Sequence, residues 1–335
     1  MPVNKVKMSD IAARFGVSVV TVSKALRNKD GVGEELRNKI RAAATEMGYD
    51  YRPAEDEQKN LNMGIVIAER YLKPEHSFYS ALYLKVAEAL KNAGYYNTLE
   101  VVRDFDEASG IIPGFLEQRH VKGVMVLAPM KTVYLKALES TGVPMTLTDF
   151  YHSDINAVSI ITDSFLGSRD MTRYLIGKGH TRIGFVGSIE KNTNSRDRHY
   201  GYCKAMGEAG LPVKKEWVIP DRNPTGFKDV FELPRDMPTA FVCTHDQSAY
   251  HFTRYILSRG YKIPDDISVT GFYDHTFSIL AGPAITTFRI DIGFMAGEAV
   301  KAQIMLIKGK KELPPRIIIS GRIIERSSVL FMNGG

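Results

Sequence analysis

Asp149, His245 and Asp246 are the side chains of this sequence that could share a proton-transfer task, because two carboxylates and an imidazole are ordinary equipment for general acid–base catalysis. The partners such a set needs are missing. There is no Gly-x-Ser-x-Gly nucleophile elbow, no phosphate-binding P-loop and no zinc-type spacing, and His180 and His275 have no companion at metal-ligand spacing. Cys203 and Cys243 are too few for a disulfide framework and are not spaced as ligands, so they read as reduced thiols. Catalysis, a bound metal and a cofactor are therefore not expected. A second group suits binding instead. Ser18, Val19, Val20, Thr21, Ser23, Lys24, Arg27 and Asn28 gather hydroxyls, cations, an amide and bare apolar side chains in one short stretch. Cations and hydroxyls can meet phosphate oxygens, and apolar side chains can meet thymine methyls.

To work, that group needs a short rigid helix. Ile11, Ala12 and Phe15 give one helix an apolar face, and Val22, Ala25 and Leu26 give a second. Gly16 lies between them, where a sharp turn needs positive φ. Ser9 and Ser18 are each placed to cap a helix. A third helix is expected from Glu34 to Met47, with Leu36, Ile40, Ala43, Ala44 and Met47 inward and Gly48 ending it. Val19 and Val20 then lie opposite Val22 and Leu26 and are expected to be exposed; helix packing is the alternative. Residues 1–49 hold nine Lys/Arg against five Asp/Glu, which leaves four of the six net positive charges of the 335-residue chain in this headpiece. A local surplus of this kind suits a phosphate surface.

From Leu61 onward, short apolar runs alternate with amphipathic stretches, the pattern of βαβ units and a mostly parallel sheet. Strands are expected at Met63–Ile67, Val121–Leu127, Pro144–Thr148, Arg182–Gly187, Thr239–Cys243 and Ile267–Phe272. Helices are expected at Phe78–Ala93, Ser164–Lys178 and Tyr200–Ala209. Trp217, the single tryptophan, precedes a strand and reads as packing. No run reaches the ~18 apolar residues of a membrane span and no apolar leader opens the chain, so a soluble, cytoplasmic protein is expected.

Ser9-Asp10-Ile11-Ala12, Gly16-Val17-Ser18, Thr21-Val22-Ser23 and Gly48-Tyr49 together resemble the lactose-repressor (LacI/GalR) family of bacterial transcription regulators. The likeness continues through Asp163-Ser164, Gly179-His180, Arg198-His199-Tyr200-Gly201-Tyr202, Thr244-His245-Asp246, Ile263–Val269 and Ile285-Thr286-Thr287-Phe288, and so covers nearly the whole chain. It implies an all-α helix-turn-helix headpiece over residues 1–52 and a hinge or linker over 53–61. The body would be α/β, two-lobed and like a periplasmic binding protein, built of two doubly wound parallel-sheet subdomains. One comprises 62–162 and 291–320, the other 163–290 and 321–331.

The resemblance also implies partners. These are double-stranded operator DNA, a second copy of the chain in a homodimer, and a small-molecule effector, expected to be a carbohydrate or its derivative. Effector contacts map onto Phe78, Tyr79, Asp149, Arg198, His245, Asp246, Tyr273 and Asp274, most of them just after strands, where doubly wound sheets bind ligands. His245 replaces the family's common asparagine, and Tyr273 takes the slot of its usual first aspartate, leaving Asp274 one place later. Family members carry a hinge helix whose leucine wedges into the minor groove. Here the segment is Pro53-Ala54-Glu55-Asp56-Glu57-Gln58-Lys59-Asn60, and the wedge position falls on Gln58 or Asn60, with Leu61 next door. Its acids would be repelled by narrow-groove phosphates, so either weaker kinking of the operator or a plain solvated linker is expected. The rival readings are a sugar-binding transport protein of similar shape and a small-molecule enzyme.

Overall fold

The computed structural model describes residues 6–26, 29–49, 61–72, 77–118, 120–223, 226–310 and 312–332. The chain falls into two compact units, Met1–Asn62 and Met63–Gly335.

The first unit holds three helices: α1 (Met8–Phe15), α2 (Val19–Leu26) and α3 (Glu34–Glu46). Ile11, Ala12, Val22, Ala25, Leu26, Val32, Ile40 and Ala44 form its small core. Gly16 ends α1 at φ +62°, a left-handed turn that glycine adopts without a Cβ penalty. Ser18 caps α2, its Oγ accepting the Thr21 N–H at 3.0 Å. Ser9 does not cap α1, contrary to the sequence reading. The helix begins at Met8 with Lys7 at the N-cap, two residues earlier than a Ser9 cap would set it, and Asp10 accepts the Lys7 N–H at 2.8 Å.

The second unit is built on two six-stranded sheets. The first lobe starts with β1 (Asn62–Ala68), α4 (Ser77–Asn92), β2 (Tyr96–Val102), α5 (Asp104–Ser109), α6 (Gly114–Glu117), β3 (Val124–Leu127), α7 (Thr132–Ser140), β4 (Met145–Thr148) and β5 (Val158–Thr162). The second lobe follows with α8 (Ser164–Gly177), β6 (Ile183–Val186), α9 (Thr193–Glu208), β7 (Val218–Ile219), the hairpin β8 (Arg222–Asn223) and β9 (Gly226–Phe227), β10 (Ala240–Cys243), α10 (Asp246–Ser258), β11 (Ser268–Tyr273), α11 (Thr276–Leu280) and β12 (Thr286–Ile290). The chain then returns to the first lobe as α12 (Ile292–Ile307) and β13 (Arg316–Ile319), and crosses again into β14 (Gly321–Ile324). Strand orders are β13-β5-β4-β3-β1-β2 and β14-β12-β11-β10-β6-β7. The β12–β14 pair is antiparallel, while β6, β10, β11 and β12 run parallel in sequence across the centre of their sheet. Parallel strands are covered on both faces, which explains why β1, β3, β6 and β10 read as nearly continuous apolar runs.

Further features differ from the sequence reading, among them β3, which begins at Val124 rather than Val121. Helix α9 starts at Thr193, seven residues before Tyr200, because its first turns bury Asn194, Ser195 and Arg198 rather than apolar side chains and so carry no apolar stripe. Strand β11 includes Tyr273 instead of stopping at Phe272. Edge strand β2 has exposed positions, Tyr96 at 75 % among them, and its residues show no buried run to betray it. Trp217 is buried, its Nε1 donating to the Asp236 carbonyl at 2.8 Å.

Gly201 fixes how closely α9 meets α8. A Cβ there would stand 2.1 Å from the Phe165 carbonyl oxygen and 2.9 Å from the Arg169 nitrogen. Both are backbone atoms, which cannot rotate away. Gly201→Ala is expected to destabilise the second lobe by about 1–3 kcal/mol through overpacking, read as a lower midpoint in denaturant unfolding; an unchanged midpoint would show the two helices are free to separate.

Candidate functional site

On the headpiece, the start of α2 is its unpartnered face. Val19 is 46 % and Val20 64 % exposed, opposite the buried Val22, Ala25 and Leu26. Met8, Val19, Val20, Ser23, Lys24 and Lys29 line a shallow groove there. Ser18 and Thr21 are engaged with each other, their hydroxyls 2.9 Å apart, in the cap of the helix. Arg27 and Asn28 lie outside the described residues, as do Pro53 to Asn60 of the hinge.

In the body, a cleft opens beyond the carboxyl ends of the strands of both sheets. Phe78, Tyr79, Arg198, His245, Asp246 and Tyr273, six of the eight positions singled out above, line it. The helices reach the cleft through side-chain caps at their first residues. Asn192 Oδ1 accepts the Ser195 N–H at 2.9 Å to start α9, and the His245 ring packs over the start of α10 with Nδ1 2.7 Å from Ser248 Oγ. Strained backbone collects at the same strand ends. Ala128, Asp149, Tyr273 and Asp274 all have positive φ, which costs a non-glycine residue about 1–3 kcal/mol.

Arg198 has the most unusual environment. Its side chain is 2 % exposed, and its guanidinium sits 4.0 Å over the Phe272 ring and 4.4 Å over the Tyr273 ring. Nη1 donates to the Thr244 carbonyl at 2.6 Å, while Nε and Nη2 are buried with no acceptor among the described residues. Two ring faces offset only part of the cost of burying a cation.

The two positions outside the lining are both spent on the protein. Asp149 is fully buried beneath the cleft floor. Its Oδ2 accepts the Tyr79 hydroxyl at 2.8 Å, the Tyr273 hydroxyl at 3.0 Å and the Asn194 amide at 3.1 Å, and its Oδ1 accepts the Thr162 hydroxyl at 2.8 Å. Burial raises this carboxyl above the ordinary aspartate range, against the pull of Arg198 and the hydroxyl donors. Asp274 is gripped by the Arg289 and Arg326 guanidiniums, which hold its carboxyl low although burial alone would lift it. It braces β11 against β12 and the segment after β14, not the cleft.

Asp246 and His245 differ from each other in the same way. The Asp246 carboxylate accepts the His275 N–H at 2.6 Å and the Thr287 hydroxyl at 2.5 Å, and burial pushes it up to about 7. His245 Nε2 faces Arg222 Nη2 at 2.9 Å; a guanidinium only donates, so Nε2 is the acceptor. Ser248 Oγ links His245 Nδ1 to the buried Asp221, whose carboxyl burial would raise but the Arg222 guanidinium and the Ser248 and Ser188 donors hold low.

Residues not anticipated from sequence complete the lining: Tyr71, Asn192, Asn194, Ser195, Arg222, Gln247, Phe272, His275 and Phe277. Asn192 and Ser195 carried a signal, a helix cap read as loop. Arg222 sits on a two-residue strand, too short for any periodicity to mark. Among the described residues no His, Cys, Asp and Glu group could hold a metal.

Residues 7–51 match the family described as bacterial regulatory proteins, lacI family, and residues 172–329 match the periplasmic binding protein-like domain. The chain belongs to the LacI family. It is 28 % identical to the HTH-type transcriptional regulator RegA of Clostridium saccharobutylicum over 96 % of this chain and 99 % of that protein. It is 27 % identical to the HTH-type transcriptional repressor PurR of Actinobacillus pleuropneumoniae serotype 3, over 97 % of this chain and 99 % of the repressor. In fold it matches the CelR–cellobiose complex (TM-score 0.68, 22 % identity, 97 % of this chain and 100 % of that one) and the lac repressor dimer bound to operator and the anti-inducer ONPF (0.66, 20 %, 98 % and 100 %). This LacI-family chain is thus a DNA-binding transcriptional regulator, and its relatives are regulators rather than enzymes. No helix among the described residues is long and apolar enough to cross a membrane.

The shifted Asp246 carboxyl gives stability a pH dependence. Its folded pKa lies above the unfolded value near 4, so the fold keeps a proton the unfolded chain loses, and stability falls as pH rises from about 4 to about 7. Asp246→Asn can offer the same acceptor to His275 and donate to Thr287, as a protonated acid does. The stability of Asp246→Asn relative to the parent is expected to rise over that window, by up to about 4 kcal/mol, and to level off above it. Parallel stability curves between pH 4 and 8 would remove the shift.

Proposed function

We propose that this regulator is a cytoplasmic repressor that binds pseudo-palindromic operator DNA as a homodimer, and that a small-molecule effector in the cleft, a sugar or sugar derivative, switches its affinity. The observation that carries the effector half is Arg198. A guanidinium buried over two aromatic rings, with two nitrogens unpaired, is arranged for oxygen acceptors that the protein does not provide. Aromatic rings from both lobes, Phe78 and Phe277 among them, supply faces for the apolar side of a sugar ring. The CelR neighbour is a cellobiose complex, which agrees in ligand class.

In the DNA half, α2 enters the major groove with its N-terminal residues at base edges. Val19 and Val20 can offer apolar contact only, best matched to thymine methyls, and Lys24 one turn on reaches a guanine edge or a phosphate. Ser18 and Thr21, already capping α2, serve to hold the helix N-terminus against the backbone, with Ser23 beside them.

Lys24→Ala is expected to weaken operator binding at least tenfold at physiological salt, and exchanging Val19 and Val20 to change the sequence recovered in a binding-site selection. An unchanged selected sequence would show that α2 is not the reader. Arg198→Met keeps the packing length but not the donors. It is expected to retain operator binding in an electrophoretic assay while losing the response to effector, and a retained response would remove Arg198 from the site.

A further inference from the structure

Two cations face this cleft, and each carboxylate near them is already engaged. Arg222 leans its guanidinium over the Phe227 ring at 3.9 Å and spends one N–H on His245 Nε2. Among the described residues it has no carboxylate within ion-pair distance, and Arg198 has none either. The carboxylates on the surrounding elements are Asp149, Asp197, Asp221, Asp246 and Asp274; Asp197 is bonded to the Tyr151 hydroxyl and Asp274 is held by Arg289 and Arg326. Asp149 accepts donors on both oxygens below the floor. Asp221 is 2 % exposed and takes the Ser188 N–H at 2.7 Å and the Ser248 hydroxyl. Asp246 is tied by the His275 N–H and the Thr287 hydroxyl. The cleft therefore presents cationic donors and no carboxylate oxygen free of a protein donor. Sugar hydroxyls can accept these donors too, but a carboxylate or phosphate accepts them as charge-assisted bonds, roughly twice as strong and bidentate where the fork allows.

We infer that the effector carries a compact anion, a carboxylate or a phosphate, on a hydroxyl-bearing ring, and that Arg222 and Arg198 receive it. Arg222 suits this task because its planar fork is held from below by Phe227 and from one side by His245, so little rotamer freedom is lost when an anion binds. Asn192, Ser195 and Gln247 supply neutral amides and a hydroxyl for the ring. This inference rests on the cleft being the effector site.

The test uses the full chain and matched probes: glucose, glucuronate and glucose 6-phosphate by calorimetric titration, and inorganic phosphate against chloride at equal ionic strength by thermal shift. Phosphate is expected to raise the melting temperature of the parent and not that of R222Q or R198Q. At least one anionic sugar is expected to bind about tenfold more tightly than glucose, with that preference lost in R222Q. If glucuronate wins, the anion is a carboxylate; if glucose 6-phosphate wins, a phosphate. Equal or tighter binding of glucose overturns the inference, as does a phosphate shift that is absent in the parent or persists in both variants. Anion binding that depends on Arg222 but leaves operator affinity unchanged would keep the anion site and sink the effector reading instead.

Discussion

One buried carboxylate ties the two lobes together. Asp149 stands at the end of β4 in the first lobe, yet it accepts hydrogen bonds from Tyr273 of β11 and Asn194 of α9 in the second, as well as from Tyr79 of α4 and Thr162 of β5 in its own. Each such bond to a charged acceptor is worth about 1.5–3 kcal/mol, and leaving the group unpaired would cost more. The floor of the cleft can keep this arrangement only while both lobes supply their donors. Tyr79 and Tyr273 do double work here, since their hydroxyls point down to Asp149 while Phe78 packs on the Tyr273 ring at 4.0 Å to close the wall above. Helix α4, strand β11 and the first turns of α9 thus converge on one anion.

That convergence explains why the cleft is built from the polar ends of otherwise apolar elements. Parallel strands must bury both faces, so side chains suited to a ligand can appear only where the strand stops. Positive φ at Asp149, Tyr273 and Asp274 turns the chain sharply at those ends. Asp274 then stabilises its own turn through Arg289 and Arg326, which leaves Tyr273 free to face Asp149. The identity of residue 273 has a physical meaning. A tyrosine supplies a ring for Arg198 and a hydroxyl for Asp149 at once, and an aspartate in its place could supply neither.

How much could be read from residues alone follows the same division. Strand runs such as Met63–Ile67 and helix faces such as Val22, Ala25 and Leu26 show themselves, because burial demands a repeating apolar pattern. The exposure of Val19 and Val20 was legible for the converse reason, as apolar residues on the wrong face of an amphipathic helix. Elements facing the cleft were not. Asn194, Ser195 and Arg198 break the apolar stripe of α9 because they face the cleft rather than a core, so the apolar pattern starts only at Tyr200. Arg222 is set by a hairpin of two-residue strands, and its partners Phe227 and His245 come from other elements. Asp149 and Asp274 were singled out as chemistry-bearing residues, but whether a carboxylate faces a ligand or another side chain depends on contacts up to 124 residues away.

The two ionic groups at the floor also bear on switching. In this arrangement the buried anion, Asp149, is fully satisfied by the protein, while the buried cation, Arg198, is not. A ligand that fills the open donors of Arg198 stabilises the arrangement without having to disturb the Asp149 bonds. An arrangement with the lobes apart could let water satisfy Arg198 instead, and would lose the Tyr273 and Asn194 bonds to Asp149. The balance between the two is then set by a few hydrogen bonds on each side, of order a few kcal/mol, which is the range in which differential binding of 1–3 kcal/mol shifts an equilibrium 5- to 150-fold. A fully satisfied Arg198 would leave a ligand little to change. On the proposed reading, the unfilled donors of Arg198 therefore make the cleft responsive as well as receptive.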